Sequence, residues 1–320
     1  MSRAAWSVID TRDQIDFVLP ISSGGDAETA QGQCQYRRIG GYNVSAPQRR
    51  PADPTIPKVI MFTKAIVRLP ASNFADGLTT VSLGKPDFAT TLLQHQRFCE
   101  ALVECGLTLT HLAADACYPD STFVEDVAVL TGQGAIMTRP GAQSRAGEVE
   151  DMRAVLPAFY AELARIVAPG TLDGGDICEA GDHFIIGISL RTNEHGAQQL
   201  ANWLQTLGYT TSFVDIRQTA GILHLKSGIS YIGDGAADQR MVVIESLADH
   251  PALQRFELIT VAPAEDYAAN CVRINSHVLI AAGFPLFETT LRQLGYGVIP
   301  LDMSEYQKMD GGLSCLSLRF

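Results

Sequence analysis

The stretch ICEAGDHFIIGISLRTNEHGAQQLANWLQTLGYTTSFVD, residues 177–215, changes hydrophobic period twice. Ile177 to Glu179 and His183 to Gly187 are short apolar runs on either side of Ala180-Gly181-Asp182, the pattern of a hairpin. From Asn193 the period becomes helical. Ala197, Leu200, Ala201, Leu204 and Leu207 share one face, and Gly208 ends the run. Tyr209 to Val214 is β-rich again. The order is therefore strand, strand, helix, strand.

The same order is legible on both sides. Upstream, Val59 to Val67 reads as a strand. Pro86 opens a helix with Phe88, Leu92, His95, Cys99 and Leu102 on one face. Leu107 to Leu112, Phe123 to Leu130 and Ala135 to Thr138 read as strands, and Glu148 to Glu162 as a helix interrupted at Pro157. Downstream, strands are expected at Ile222 to Leu225, Ile229 to Ile232 and Met241 to Ile244, then a short helix before Glu257 to Val261. Val272 to Ile274 and Val278 to Ala281 flank the turn Asn275-Ser276, and a helix from Pro285 to Leu294 leads to a strand from Tyr296 to Leu301. The unit recurs about every 50 to 60 residues with no repeat in the sequence itself. An α/β or α+β layering is expected rather than a helical bundle.

Composition narrows the function. The 320 residues are 46% hydrophobic and 18% charged, enough for a full core. A net charge of −11 argues against nucleic acid or an anionic membrane as partner and suits a cationic small molecule. Seven cysteines without a CxxC pair argue against a disulfide framework or zinc knuckle and for a reducing cytoplasm. Acidic and basic residues interrupt the first 20 positions, so no signal-peptide core is present. The longest apolar run, Val278 to Phe287, is ten residues long, well short of the ~20 that span a bilayer. Residues 1–57 are charge-balanced, with six basic and six acidic side chains, and end in the Pro-rich APQRRPADPTIP. They read as a flexible leader and linker before a catalytic domain over 58–320.

Taken singly, the candidate chemistry is ambiguous. Cys315, in DGGLSCLSLRF, is a buried small hydrophobe or a nucleophile awaiting a base. Ser314-Cys315-Leu316 reads as the start of a strand. His224, in GILHLKSG, is a core histidine or an acid/base. Asp173 and Asp176, in TLDGGD, fit a solvated turn equally well. Asp120, Glu125 and Asp126 surround an apolar run, and buried acids there need cationic partners. Arg145 and Arg191 are surface arginines or carboxylate clamps. No HExxH, P-loop or GxSxG occurs, and each GxG string lacks its third glycine.

In order, however, DGLTTVSLGKPDF, PDSTFVEDVAV, TRPGAQSR, GTLDGGD, RTNEHGAQQL, HLKSG, AANC and KMDGGLSCLSLRF closely resemble the dimethylarginine dimethylaminohydrolases, guanidine-modifying enzymes of the pentein superfamily. The resemblance runs from about Met61 to Phe320. Family members begin near Met61, so the leader reads as an upstream extension or a wrongly chosen start. The resemblance implies a five-fold pseudosymmetric α/β-propeller of ββαβ modules. It implies hydrolysis of asymmetric dimethylarginine and monomethylarginine to citrulline, with no metal or organic cofactor and with a homodimer as the candidate assembly. It places the nucleophile at Cys315, the general acid/base at His224 and its orienting acid at Asp173, where some members carry Glu. Asp120, Glu125 and Asp126 match substrate-contacting acids, Arg145 and Arg191 match carboxylate clamps, and the backbones of Leu78 and Met309 match pocket walls. Arginine deiminases share the trio but typically carry an acid two residues after the histidine, the place of Lys226 here. If that segment is extended, His224 and Lys226 share a face. A non-catalytic pentein that only binds arginine-like ligands is the remaining alternative.

Overall fold

In the computed structural model, residues 61–235 and 238–320 are described. The expected leader over 1–57 lies outside them. The elements in chain order begin with β1 (Lys64–Arg68), α1 (Phe88–Glu104) and β2 (Thr108–Leu112). Next come β3 (Ala128–Leu130), β4 (Ala135–Met137), α2 (Val149–Val155) and β5 (Leu163–Arg165). The third group is β6 (Ile177–Ala180), β7 (His183–Ile188), α3 (Glu194–Thr206) and β8 (Thr210–Asp215). The fourth is β9 (Ile229–Tyr231), β10 (Arg240–Ile244) and β11 (Glu257–Val261), with two single 3-10 turns in place of the helix. The last is β12 (Val272–Ile274), β13 (His277–Ala281), α4 (Pro285–Gln293) and β14 (Gly297–Leu301), followed by α5 (Ser304–Gln307) and β15 (Leu318–Arg319).

These strands form five three-stranded sheets. In each, the leading strand pairs antiparallel with the middle one, which pairs parallel with the third across the crossover. The first sheet borrows its leading strand from the chain's end. β15 pairs antiparallel with β1, Leu318 opposite Ile66, and β1 pairs parallel with β2. The five leading strands surround a cavity of about 130 Å³, with Val129, Cys178, Ser230, Val272 and Arg319 each contributing a wall. The expected five-fold propeller of ββαβ modules is the architecture found.

Local chemistry explains the elements. Asn193 accepts a hydrogen bond from the Gly196 N–H (2.8 Å) and caps α3, which buries Ala197, Leu200, Ala201 and Leu204. Asp87 caps α1 through Thr90 N–H (2.8 Å), so Pro86 lies just outside the helix it was expected to open. The buried face of α1 includes Thr91, His95, Phe98, Cys99 and Leu102, whereas Leu92 is exposed. Apolar clusters join neighbouring modules: Ile66, Val127, Ala135, Leu156 and Leu318 form one between the first two sheets.

Parts of three expected strands are instead short 3-10 turns. Val124–Val127 precedes β3, Leu225–Ser227 follows His224, and Ser314–Leu316 contains Cys315. Their backbone groups bond to side chains and within the turn, so they are not free for a ladder. Leu225 N–H donates to Asp176 Oδ1 (3.0 Å), Ser227 N–H to the His224 carbonyl (3.0 Å), and Ser314 N–H to Asn270 Oδ1 (3.0 Å).

Cys99, Cys105, Cys178, Cys271 and Cys315 are free thiols, and no described helix is long and apolar enough to cross a membrane. Because Leu318 closes the first sheet and packs in the buried cluster between the first two, Leu318→Ala should destabilise the fold by about 2–4 kcal/mol. Urea unfolding should show a lower midpoint with an unchanged slope. An unchanged midpoint would mean that the closure contributes little.

Candidate active site

The site grows out of the pseudosymmetry. A 3-10 turn precedes β3, β6, β9 and β15, and the turns of successive modules pack side by side. Asp173 stands immediately before the turn Gly174–Asp176, and His224 immediately before Leu225–Ser227. Two modules thus present an acid and a histidine from equivalent positions. Glu125 and Asp126 lie on the turn of the second module, and Cys315 on the turn that leads into β15. Gly174 is required by this crowding, since a Cβ there would overlap the Glu125 carbonyl oxygen.

Asp173 is fully buried. Its Oδ2 lies 3.0 Å from His224 Nε2, and its Oδ1 accepts the Gly141 N–H (2.8 Å). Asp126 Oδ1 accepts the Gly175 N–H (2.9 Å), and Oδ2 accepts Arg145 Nη1–H (2.6 Å). Burial opposes a charge on His224, but Asp126, Asp176 and Asp173 together raise its pKa to about 9. Burial likewise opposes ionisation of Asp126, yet His224 and Arg145 hold its pKa at about 2. Burial, with Glu125 and Asp126 adding to it, pushes the Cys315 thiol up to about 12. At neutral pH the site therefore holds an imidazolium, carboxylates and a neutral thiol.

Cys315 and His224 line one small cavity of about 20 Å³, roomy enough for about one water. Leu78, Asp120, Asp126, Arg145, Arg191 and Met309 line it too. Asp173 stands behind His224. Asp120 accepts the Leu78 N–H at both oxygens (3.1 Å each), which fixes the loop over the cavity. Gly77 makes room for this grip, because a Cβ there would overlap Asp120 Oδ1. Thr80 N–H and Oγ–H both donate to Asp310, so the loop is also tied to the chain segment that leads to Cys315.

Two expected roles meet a different geometry. Glu125 faces the central channel: its carboxylate accepts Lys226 Nζ–H (2.5 Å) and Ser314 Oγ–H (2.8 Å). Lys226 lines the same channel, so it does not share the face of His224, and the turn at 225–227 is the reason. Arg145 is buried and spends its donors on Glu148, Asp126 and two carbonyls, leaving no free fork for a ligand carboxylate. Arg191 also lines the cavity and makes no side-chain hydrogen bond among the described residues. Sequence reading missed Phe123, Leu223, Asp310 and Gly311 as lining residues, none of which stands in a motif of its own.

Donor atoms of Asp126, Asp173 and His224 come within 4.8 Å of one another, close enough to hold a cation. Here they bond to each other and to Arg145, and an imidazolium has no lone pair to offer a metal. The arrangement is that of an acid/base set beside a thiol.

The chain is similar to several known proteins. A family model described as arginine deiminase matches residues 116–236. The chain is 43% identical over 261 residues to N(G),N(G)-dimethylarginine dimethylaminohydrolase of Pseudomonas aeruginosa, covering 81% of this chain and 100% of that one. It is 36% identical over 258 residues to the protein of the same name from Streptomyces coelicolor, covering 80% and 96%. A solved structure of the Pseudomonas aeruginosa protein, a cysteine-to-serine variant complexed with citrulline, superposes with a TM-score of 0.78 at 43% identity, covering 82% and 100%. The N-terminal domain of ArgZ, a cyanobacterial arginine dihydrolase, shares the fold at 14% identity with a TM-score of 0.68, covering 80% and 96%. With this identity over the whole of the relative and five ββαβ modules in a ring, the chain belongs to the dimethylarginine dimethylaminohydrolase family of the pentein superfamily.

Proposed function

We propose that this chain hydrolyses Nω-methylated arginines, asymmetric dimethylarginine and monomethylarginine, to citrulline and dimethylamine or methylamine, with Cys315 as nucleophile. The observation that carries this reading is a thiol, Cys315, that shares one acid-lined cavity with His224 and is kept protonated there by burial. Such a thiol becomes reactive only when a cation arrives beside it. A guanidinium held by Asp126 supplies that charge, and the thiol proton leaves to solvent. The thiolate then attacks the guanidinium carbon. His224, protonated at neutral pH, gives its proton to the departing amine nitrogen, leaving an S-alkylthiouronium on Cys315. Neutral His224 next takes a proton from water, the hydroxide adds to the same carbon, and the C–S bond breaks as the O–H proton of the adduct passes to the departing sulfur, releasing neutral citrulline and the Cys315 thiol. Asp173 holds the histidine ring throughout. Arg191 is the cation left to bind the substrate carboxylate, and Asp120 positions the Leu78 loop at the mouth of the cavity. We place this chemistry in the reducing cytoplasm, where free thiols persist.

The match to the arginine deiminase model favours one second reading, the same chemistry on unmethylated arginine. Incubating the protein with dimethylarginine, monomethylarginine and arginine and measuring citrulline separates the two. Product from the methylated substrates alone supports the first reading, and faster turnover of arginine overturns it.

Cys315→Ser should fold and make no measurable citrulline, because a hydroxyl is a far weaker nucleophile than a thiolate. Residual turnover above a trace would remove Cys315 from its role. Gly77→Ala should displace Asp120 and the Leu78 loop and lower kcat/KM roughly 10- to 100-fold; steady-state kinetics reads this directly. The His224 charge also sets a pH dependence of stability. Its pKa is raised from the unfolded value near 6.5 to about 9, so its contribution is complete below about pH 6.5 and is lost as pH climbs through about 9. Between about pH 7 and 8.5 the melting temperature should fall, and His224→Gln should flatten that slope. An equal slope in both proteins would show that other groups set it.

A further inference from the structure

Glu148 is a buried acid outside the cavity, on the turn that leads into α2. Its two oxygens grip one edge of Arg145: Nε–H donates to Oε1 (3.0 Å) and Oε2 (3.1 Å), and Nη2–H to Oε2 (2.8 Å). Nη2 also donates to the carbonyls of Phe123 (3.2 Å) and Asp120 (3.4 Å). A guanidinium is planar, so a fork fixed on one edge fixes the direction of the opposite one. That opposite edge is Nη1, which donates to Asp126 Oδ2 (2.6 Å). Asp126, with Oδ1 held by Gly175, faces the cavity beside His224. Charge counting gives the second consequence. Asp126 and Arg145 alone would cancel, whereas Glu148, whose carboxyl is pushed by burial up to about 7, returns a negative charge to the group as pH rises above that value. A buried trio of this kind carries a desolvation cost that apolar side chains would avoid.

We propose that Glu148 is a positioning residue of this site, aiming the Asp126 carboxylate through Arg145 at the cationic end of the substrate. This rests on the reading given under Proposed function.

The test compares alkylation of Cys315 by a cationic reagent, 2-chloroacetamidine, with alkylation by neutral iodoacetamide, followed by mass spectrometry on the full chain. At pH 8, above the raised Glu148 pKa of about 7, Glu148→Gln keeps the shape and one acceptor but removes the charge. It should slow the amidine at least ~10-fold, the loss of a well-placed charged contact, and leave the iodoacetamide rate within about 2-fold. In steady state, KM for monomethylarginine should rise more than kcat falls. Asp126→Asn should lower the amidine rate by itself, and adding Glu148→Gln to it should change little, because the two act in series. Glu148→Asp keeps the charge but cannot reach both Nε and Nη2, so its amidine-to-iodoacetamide ratio should lie between wild type and Glu148→Gln. That ordering stands as the test if Glu148→Gln does not fold. Equal slowing of both reagents, an unchanged ratio, or additive losses in the double variant would overturn the proposal. If wild type shows no preference for the amidine and makes no citrulline, the functional reading falls and takes this one with it. If wild type shows both and the Glu148 variants keep the ratio, the Glu148 proposal alone falls.

Discussion

The pairing of Leu318 with Ile66 joins the last strand of the chain to the first one in the described fold. Four sheets are built from residues close in sequence, and each takes its leading strand from just upstream of its middle one. The first sheet differs from the other four. It takes β15 instead, and Phe320 completes the contact through backbone bonds with Thr63 and Lys64. This closure puts Cys315 where it can act. Three residues before β15, it enters the ring of turns beside residues from nearly two hundred positions earlier in the chain. Ser314 donates to Glu125 across 189 residues of sequence. The position of Cys315 is thus a consequence of this closure, and the loop-closure entropy is offset by the apolar cluster around Ile66 and Leu318.

Once the turns are brought together, their charges govern one another. A lone buried carboxylate would be neutralised by its surroundings. Asp126 remains ionised because Arg145 and His224 flank it, and His224 remains charged because Asp126, Asp176 and Asp173 flank it. Each ionisation supports the other, so removal of one partner disturbs several groups at once. Adjacent residues are sorted to different tasks by the turn geometry. Asp126 points into the cavity, while Glu125 pairs with Lys226 in the channel wall.

The sequence made the larger elements legible where independent signals agreed. In α3, the cap at Asn193, the apolar face and Gly208 all mark the same span. At Asn275, a positive φ of 54° sits where a hairpin turn was expected. The 3-10 turns were not legible. A turn of three or four residues has no period, and its backbone partners, Asp176 for Leu225 and Asn270 for Ser314, lie 49 and 44 residues away in sequence. The same blindness split the candidate site. Asp126 and Glu125 are neighbours in a run of acids, and nothing in their order tells which one faces the substrate. Lys226 looked like a neighbour of His224 only under the assumption of an extended strand. Glu148 stands three residues after Arg145, a spacing common to surface pairs, and only its burial distinguishes it.

The electrostatics also bear on selectivity. A cysteine with a low pKa would attack many electrophiles. In the proposed function Asp126 holds the guanidinium, and the same carboxylate adds to the burial that keeps the thiol protonated before binding. Asp126 therefore acts on Cys315 in opposite senses: it suppresses the thiolate in the empty site and, by holding a cation there, permits it in the occupied one. Reactivity then follows from the charge of the ligand and from its shape. A neutral urea such as citrulline offers no cation, so product binding does not activate the thiol. The arrangement restrains the reverse reaction and off-target alkylation by the same means, and its cost is a nucleophile that rests in its unreactive form.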